Sequence, residues 1–248
     1  MTALAKKAGL SLRMIVDYEK DYCLYEPSEQ TIASFVDVLK YPADFFFGED
    51  IESIDPSTVS FRSLKKMTSA QEGAAIGAGQ LGLIVSDYFE QYFKLPELNL
   101  IDLRGETPES AARALRDYWK LGSKSISNMV HLLEMNGIKV FSLSENTADV
   151  DAYSFWKAGK AYVFLNNQKT AERSRFDAAH ELGHLVLHKH GTPQGKDIEI
   201  EANEFASAFL MPKENILAAK MRNPSLDAVL QLRHNWKVST FALIYRMR

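Results

Sequence analysis

The run Phe176-Asp177-Ala178-Ala179-His180-Glu181-Leu182-Gly183-His184-Leu185-Val186 constrains the chain more than any other stretch. Phe176, Ala179, Leu182, Leu185 and Val186 recur at helical spacing, which makes it a core helix. Two histidines four residues apart share one face of that helix, where both imidazoles can reach a single ion. Buried imidazoles need partners, and a metal is the simplest partner that two of them can share. Glu181 points beside such a metal rather than at it, the placement of a general base that takes a proton from water. The plainer reading is a helix that happens to carry two polar residues at helical spacing.

A zinc site of this kind needs a third protein ligand. His180 and His188 stand about 12 Å apart along a continuous helix, too far for one ion. His190 has the offset of the pattern H-E-x-x-H-x-x-G-x-x-H, but Leu187 occupies the position where that pattern turns on glycine. Both histidines read instead as polar residues at a helix C-terminus. The remaining candidate is an acid on the next helical run, IEIEANEFASAFL. At about 100° per residue, Ile198, Ala202, Phe205, Ala206 and Phe209 define its buried side. Glu199 lies at the edge of that stripe, Glu201 well off it and Glu204 nearly opposite. Glu199 is therefore the natural third ligand, and Asn203, four residues on, can hydrogen-bond a ligand. Glu201 and Glu204 read as a solvated face. The residue that would stabilise an oxyanion stays open, with Arg173, Arg175 and Tyr153 near enough in sequence to be considered.

Around this centre the patterns describe a helix-dominated α+β chain. Short helices fill residues 1–55, followed by a polar linker at 56–67 and by a helical region and metal-binding domain at 68–248, with the metal site at 180–203. Helical spacing predicts helices over Thr68 to Phe93, Thr107 to Leu121 and Ser123 to Asn136. Strands are expected at Ile138 to Leu143, Val150 to Trp156 and Lys160 to Leu165, with Ala158-Gly159 as a tight turn. They should form a small three-strand antiparallel sheet, whose edge, at Val150 to Trp156 or Lys160 to Leu165, can pair with an extended substrate. Helices then continue to the end.

The N-terminal LAKKAGLSLRMIVDYEK reads as helix, glycine turn, helix, the order of a helix-turn-helix. Ser11 caps the second helix, and Arg13, with Lys6 and Lys7 close by, is the best reader of base or phosphate. Residues 1–55 hold five basic side chains against eleven acidic ones, so the basic residues can form only a local positive edge. The alternative for the same residues is a module for dimerisation or docking. A net charge of −3 leaves no global field that would recruit nucleic acid or an acidic membrane. The longest apolar stretch, Ala74 to Val85, carries three glycines and a glutamine and is too short to span a bilayer. The single cysteine, Cys23, excludes an intramolecular disulfide. With no signal peptide in the opening residues, a cytoplasmic location is expected.

On RSRFDAAHELGHLVLH and EIEANEFASAFLMP, and on SFRSLKK and LRDYWKLG, nearly the whole chain resembles the ImmA/IrrE family of zinc metallopeptidase-like proteins joined to an XRE-type (Cro/repressor-like) helix-turn-helix. The helix that normally precedes LAKKAGLS has no counterpart here, so that module is expected to lack its first helix. The resemblance implies one Zn2+ per chain, held by His180, His184 and Glu199, with Glu181 as general base. It further implies a zinc-dependent endopeptidase making a site-specific cut in a transcriptional repressor, in response to stress or a mobile element. The competing readings are a DNA-binding regulator whose peptidase-like domain senses a ligand or metal without cleaving, and an antitoxin-like interaction module. The partners expected are a protein substrate, DNA through the N-terminal module and a second copy of the chain, with no membrane.

Overall fold

Seven helices, among the described residues, begin at a Ser, Thr or Asn whose side-chain oxygen accepts the backbone N–H three residues on. Each such cap is worth about 1 kcal/mol. The computed structural model describes residues 1–20, 23, 25–48, 51–55, 59–61, 68–143, 150–188, 196–219 and 225–247. They fall into two units, Met1–Ile51 and Glu52–Arg248.

In the smaller unit, α1 (Thr2–Ala8) ends at Gly9, whose φ of 68° is the left-handed conformation that stops a helix. Ser11 then caps α2 (Leu12–Tyr18), and Ser28 caps α3 (Glu29–Leu39). A 3-10 turn follows at Ala43–Phe47. Ala5, Ile15, Ile32 and Phe35 form the core, with Tyr18 and Phe46 packed on Phe35.

The larger unit holds strand β1 (Ser60–Phe61), inside the stretch read as a linker, and the long helix α4 (Ser69–Tyr92). Helices α5 (Pro108–Tyr118) and α6 (Met129–Met135) come next. Strands β2 (Lys139–Ser142), β3 (Ala152–Lys157) and β4 (Lys160–Leu165) precede α7 (Ala171–Leu187) and α8 (Lys196–Leu210). Helices α9 (Lys213–Ala218), α10 (Leu226–Trp236) and α11 (Thr240–Met247) complete it. No helix among the described residues is long and apolar enough to cross a membrane.

The purely antiparallel three-strand sheet expected from the sequence is corrected. The order is β1-β3-β4-β2, a mixed sheet in which β2 runs parallel to β4. Only β3 and β4 form a hairpin, turned by Ala158 and Gly159 at φ 48° and 75°. Two consecutive positive φ values match the right-handed twist of the flanking strands. β2 skips its sequence neighbour and pairs on the far side of β4, which a period-2 pattern does not disclose. β1 pairs antiparallel with β3 at Ser60–Ser154 and Phe61–Tyr153. Lys160 to Leu165 is therefore an interior strand rather than an edge, and β3 is bordered at Tyr153 and Ser154. Helix α6 also starts later than its pattern suggests. The buried Arg116 draws the carbonyls of Gly122 and Lys124 onto its guanidinium, holding that segment out of a helix, and Asn128 provides the cap.

Alternation gives the sheet two apolar faces. Ala152, Trp156, Ala161, Val163 and Leu165 face the cluster built by α5, α7 and α8. Tyr153, Phe155, Tyr162 and Phe164 join Ala75 and Leu83 of α4 on the other side. The Tyr153 and Phe164 rings stack at 4.7 Å, and the Tyr153 hydroxyl donates to the Ala75 carbonyl at 2.6 Å. Gly82 permits this approach, because a Cβ there would sit 2.6 Å from Phe164 Cζ. Gly82→Ala should destabilise the chain by about 1–3 kcal/mol through overpacking, despite alanine's better helix propensity. Urea unfolding should show a lower midpoint at unchanged slope, and a raised midpoint would contradict the packing described.

Candidate metal centre

Thr170 caps α7, and four ion pairs fix its first turns: Lys169 and Arg173 both pair with the buried Asp177, and both also pair with Asp151 at the entry to β3. One turn further along, His180, Glu181 and His184 are fully buried. Helix α8 packs against α7 where Gly183 faces Phe205. A Cβ on Gly183 would lie 3.0 Å from that ring, so glycine sets how close the two helices come.

This packing brings Glu199 of α8 to the two imidazoles. His180 Nε2 and His184 Nε2 are 3.0 Å apart. Glu199 Oε2 lies 3.4 Å from the first and Oε1 3.3 Å from the second. The three residues form a group able to hold a metal ion. The two separations to Glu199 match the donor set of a tetrahedral zinc ion, whose ligands at about 2.0–2.1 Å stand about 3.3–3.4 Å apart, and the two imidazole nitrogens lie slightly closer together.

The hydrogen bonds behind the imidazoles decide which nitrogens face inward. Asn203 Nδ2 donates to the Glu199 carbonyl at 2.7 Å, so its Oδ1 is the atom turned to His180 Nδ1, 3.1 Å away. An amide oxygen only accepts, so Nδ1 carries the proton and Nε2 a lone pair. His184 Nδ1 is 3.0 Å from His188 Nδ1, and His188 Nε2 is 3.0 Å from Glu201 Oε2. Burial, only partly offset by Glu201, pulls the His188 pKa down, leaving one ring proton. A carboxylate only accepts, so that proton sits on Nε2. His188 Nδ1 then accepts from His184 Nδ1–H, and His184 Nε2 presents a lone pair. Burial pushes the Glu199 carboxyl up, and the donation from protonated imidazoles that would hold it down to about 2 is absent once both Nε2 atoms carry lone pairs. Two lone pairs and a carboxylate thus converge with no proton to share, an arrangement that calls for a cation.

Glu181, the neighbour of His180, accepts a hydrogen bond from Ser154 Oγ of β3 through Oε2 at 2.7 Å. His190 lies outside the described residues. α7 ends at Leu187, and His188 leaves it in extended conformation, which folds its ring back over His184. Glu201, expected on a solvated face, reaches His188. Ser154 and the His188–Glu201 pair escaped the reading of the sequence. A serine at an inward position of the strand AYSFWK, and a third histidine at the i+4 step, were the available signals. The oxyanion candidates are engaged elsewhere: Tyr153 with the Ala75 carbonyl, Arg173 with Asp151 and Asp177, Arg175 with the Ile126 carbonyl. In the smaller unit Ser11 is occupied as the cap of α2, Lys6 and Lys7 are exposed in the last turn of α1, and the Arg13 side chain is 92% exposed, 3.9 Å from Asp17.

Residues 133–248 match the family model of the IrrE N-terminal-like domain, Peptidase_M78. The match takes in α7, α8 and every residue of the metal centre, and supports a metallopeptidase-like domain. No curated protein matches the chain.

Zinc titration against a chromogenic chelator should separate two acids of α8. Glu199→Ala should lose stoichiometric zinc. Glu201→Ala should keep one zinc per chain with affinity about 10–100-fold weaker, because it acts only through His188. Equal zinc content in the two variants would overturn the ligand set.

Proposed function

We propose that the chain is a zinc-dependent endopeptidase that makes a site-specific cut in a regulatory protein such as a transcriptional repressor. The observation that carries this reading is the convergence of His180, His184 and Glu199 beside a buried glutamate with its own orienting hydroxyl. A bound zinc ion supplies Lewis acidity, polarising a peptide carbonyl and easing loss of a proton from water. The chain's own part is positional. Ser154 holds the Glu181 carboxylate, which takes a proton from the attacking water and returns it to the leaving amine. A hollow of about 400 Å³ beside His188, floored by Leu100, Ile101, Trp156 and Leu185, offers a seat to an apolar substrate side chain. The family match over 133–248 supports the reaction class. The repressor substrate, and a stress or mobile-element trigger, rest on the resemblance to ImmA/IrrE proteins.

A second reading is a regulator that binds DNA through its first two helices and uses the peptidase-like domain as a sensor. It is favoured by the exposure of Arg13 at the first turn of α2 with Lys6 and Lys7 nearby. Asp17 beside Arg13, and the acidic balance of residues 1–55, limit its strength. DNA binding by the chain should be weak and fall steeply with salt, since few phosphate contacts are available. Tight sequence-specific binding at physiological salt, abolished by Arg13→Ala, would favour the sensor over the peptidase.

The peptidase reading is tested by incubating the zinc-loaded chain with a repressor encoded beside it. One discrete cut is expected. Glu181→Gln should keep its zinc and lose activity by about 10²–10⁴-fold, because an amide cannot accept the proton. Wild-type turnover by that variant would remove the mechanism.

A further inference from the structure

Among the described residues of the larger unit two arginines are buried, and their surroundings differ. Arg116, 3% exposed, spends four of its five N–H donors on backbone carbonyls: Nη1 donates to Phe209 at 2.6 Å, Nη2 to Gly122 and Lys124 at 2.6 and 2.7 Å, and Nε to Gly122 at 3.0 Å. It ties α5 to α8. Arg175, 8% exposed on α7, donates Nη2 to the Ile126 carbonyl. Its buried Nε has no hydrogen-bond partner among the described residues. No carboxylate among them lies within ion-pair distance of it. A buried guanidinium left in this state is strongly unfavourable unless an anion joins it.

Space for one is present. Arg175 lines a cavity of about 490 Å³, within the range of small-molecule sites, about 300–1,000 Å³. Across the cavity the C-terminal end of α10 contributes Arg233 and Lys237. Met129, Val130 and Val238 supply apolar wall. The acid in the wall, Glu172, is 3.6 Å from Arg233 and offsets one charge. Three cations against one anion leave an excess of two positive charges, counting His234 as neutral. A phosphate monoester carries about −1.5 to −2 at neutral pH and presents acceptors suited to a guanidinium fork.

We propose that this cavity binds a small phosphate monoester, with the phosphate on Arg175, Arg233 and Lys237 and an apolar body against Met129, Val130 and Val238. Burial and the nearby Arg116 charge already draw the Arg175 guanidinium down to about 10, and an adjacent dianion would relieve both effects. The site is separate from the metal centre, yet Arg175 and His180 share α7 and stand five residues apart.

The test is calorimetric titration of the full zinc-loaded chain with phenyl phosphate, inorganic phosphate and acetate at matched ionic strength. Phenyl phosphate should bind one per chain, more tightly than inorganic phosphate, with acetate weakest. Arg175→Gln should weaken phenyl phosphate by about tenfold or more, the scale of a lost charge-assisted fork. Lys237→Gln, at an exposed position where the side chain makes a single bond to the Ser127 carbonyl at 3.2 Å, should weaken it by a smaller factor and guards against misfolding of the first variant. Glu199→Ala should leave binding intact. Absence of saturable binding, acetate binding as tightly as the ester, or affinity unchanged in both cation variants would overturn the proposal. So would loss of binding in Glu199→Ala, which would place the anion at the metal centre. Equal affinity for inorganic phosphate and the ester would overturn the role given to the apolar wall.

Discussion

Helix α7 buries Arg175, Asp177, His180, Glu181 and His184 within ten residues, and the rest of the larger unit is arranged to answer them. A buried polar group without a partner costs more than a satisfied one returns, so each member demands its own neighbour. Asp177 is met by Lys169 and Arg173 at the helix start. His180 is met by Asn203 of α8, Glu181 by Ser154 of β3, and His184 by His188 at the helix end. α7 therefore cannot slide or rotate against the sheet or against α8 without breaking several of these contacts together.

Close packing then converts this rigidity into a group able to hold a metal ion. Gly183 stands between the two histidines, and the Phe205 ring fills the space its side chain would have taken. α8 is held against α7 at that level, with Glu199 about one and two-thirds turns before Phe205. The carboxylate meets both imidazoles at near-equal distances as a result. On the opposite side of the sheet, Gly82 plays the corresponding part for α4 against Phe164. Both glycines sit where a helix must approach closely, so neither is there for turn geometry.

The parts of the structure legible in the sequence were those encoded by short periods. The helical repeat around His180 and His184 put the two imidazoles on one face, and the apolar stripe of α8 pointed to Glu199, which the fold brings to them, over Glu201. The hairpin at Ala158-Gly159 followed from turn chemistry. What escaped the reading depends on long-range pairing or on a side chain reaching across elements. The parallel pairing of β2 with β4 is fixed by strand order, which alternation does not carry. The start of α6 is fixed by Arg116, a residue on another helix. Glu201 was placed correctly on its helix face, yet that face meets His188, because the chain leaves α7 in extended form and turns the ring back. Ser154 read as one polar position in a strand, and its importance appears only when β3 is laid under Glu181.

The two imidazoles are backed unequally. His180 leans on a neutral amide, itself pinned by the Glu199 carbonyl. His184 leans on His188, and through it on the Glu201 carboxylate. A carboxylate at the end of such a chain raises the basicity of the ligand nitrogen, whereas an amide mainly fixes the tautomer and ring orientation. Of the two candidate ligands, His180 is therefore the one held by geometry and His184 the one supported electronically. Glu201 is half exposed, with 50% of its side chain accessible, so its charge is open to screening by salt. The centre thus combines two buried imidazoles and a partly exposed carboxylate with one electrostatic support at the surface, through which ionic conditions would reach a bound metal.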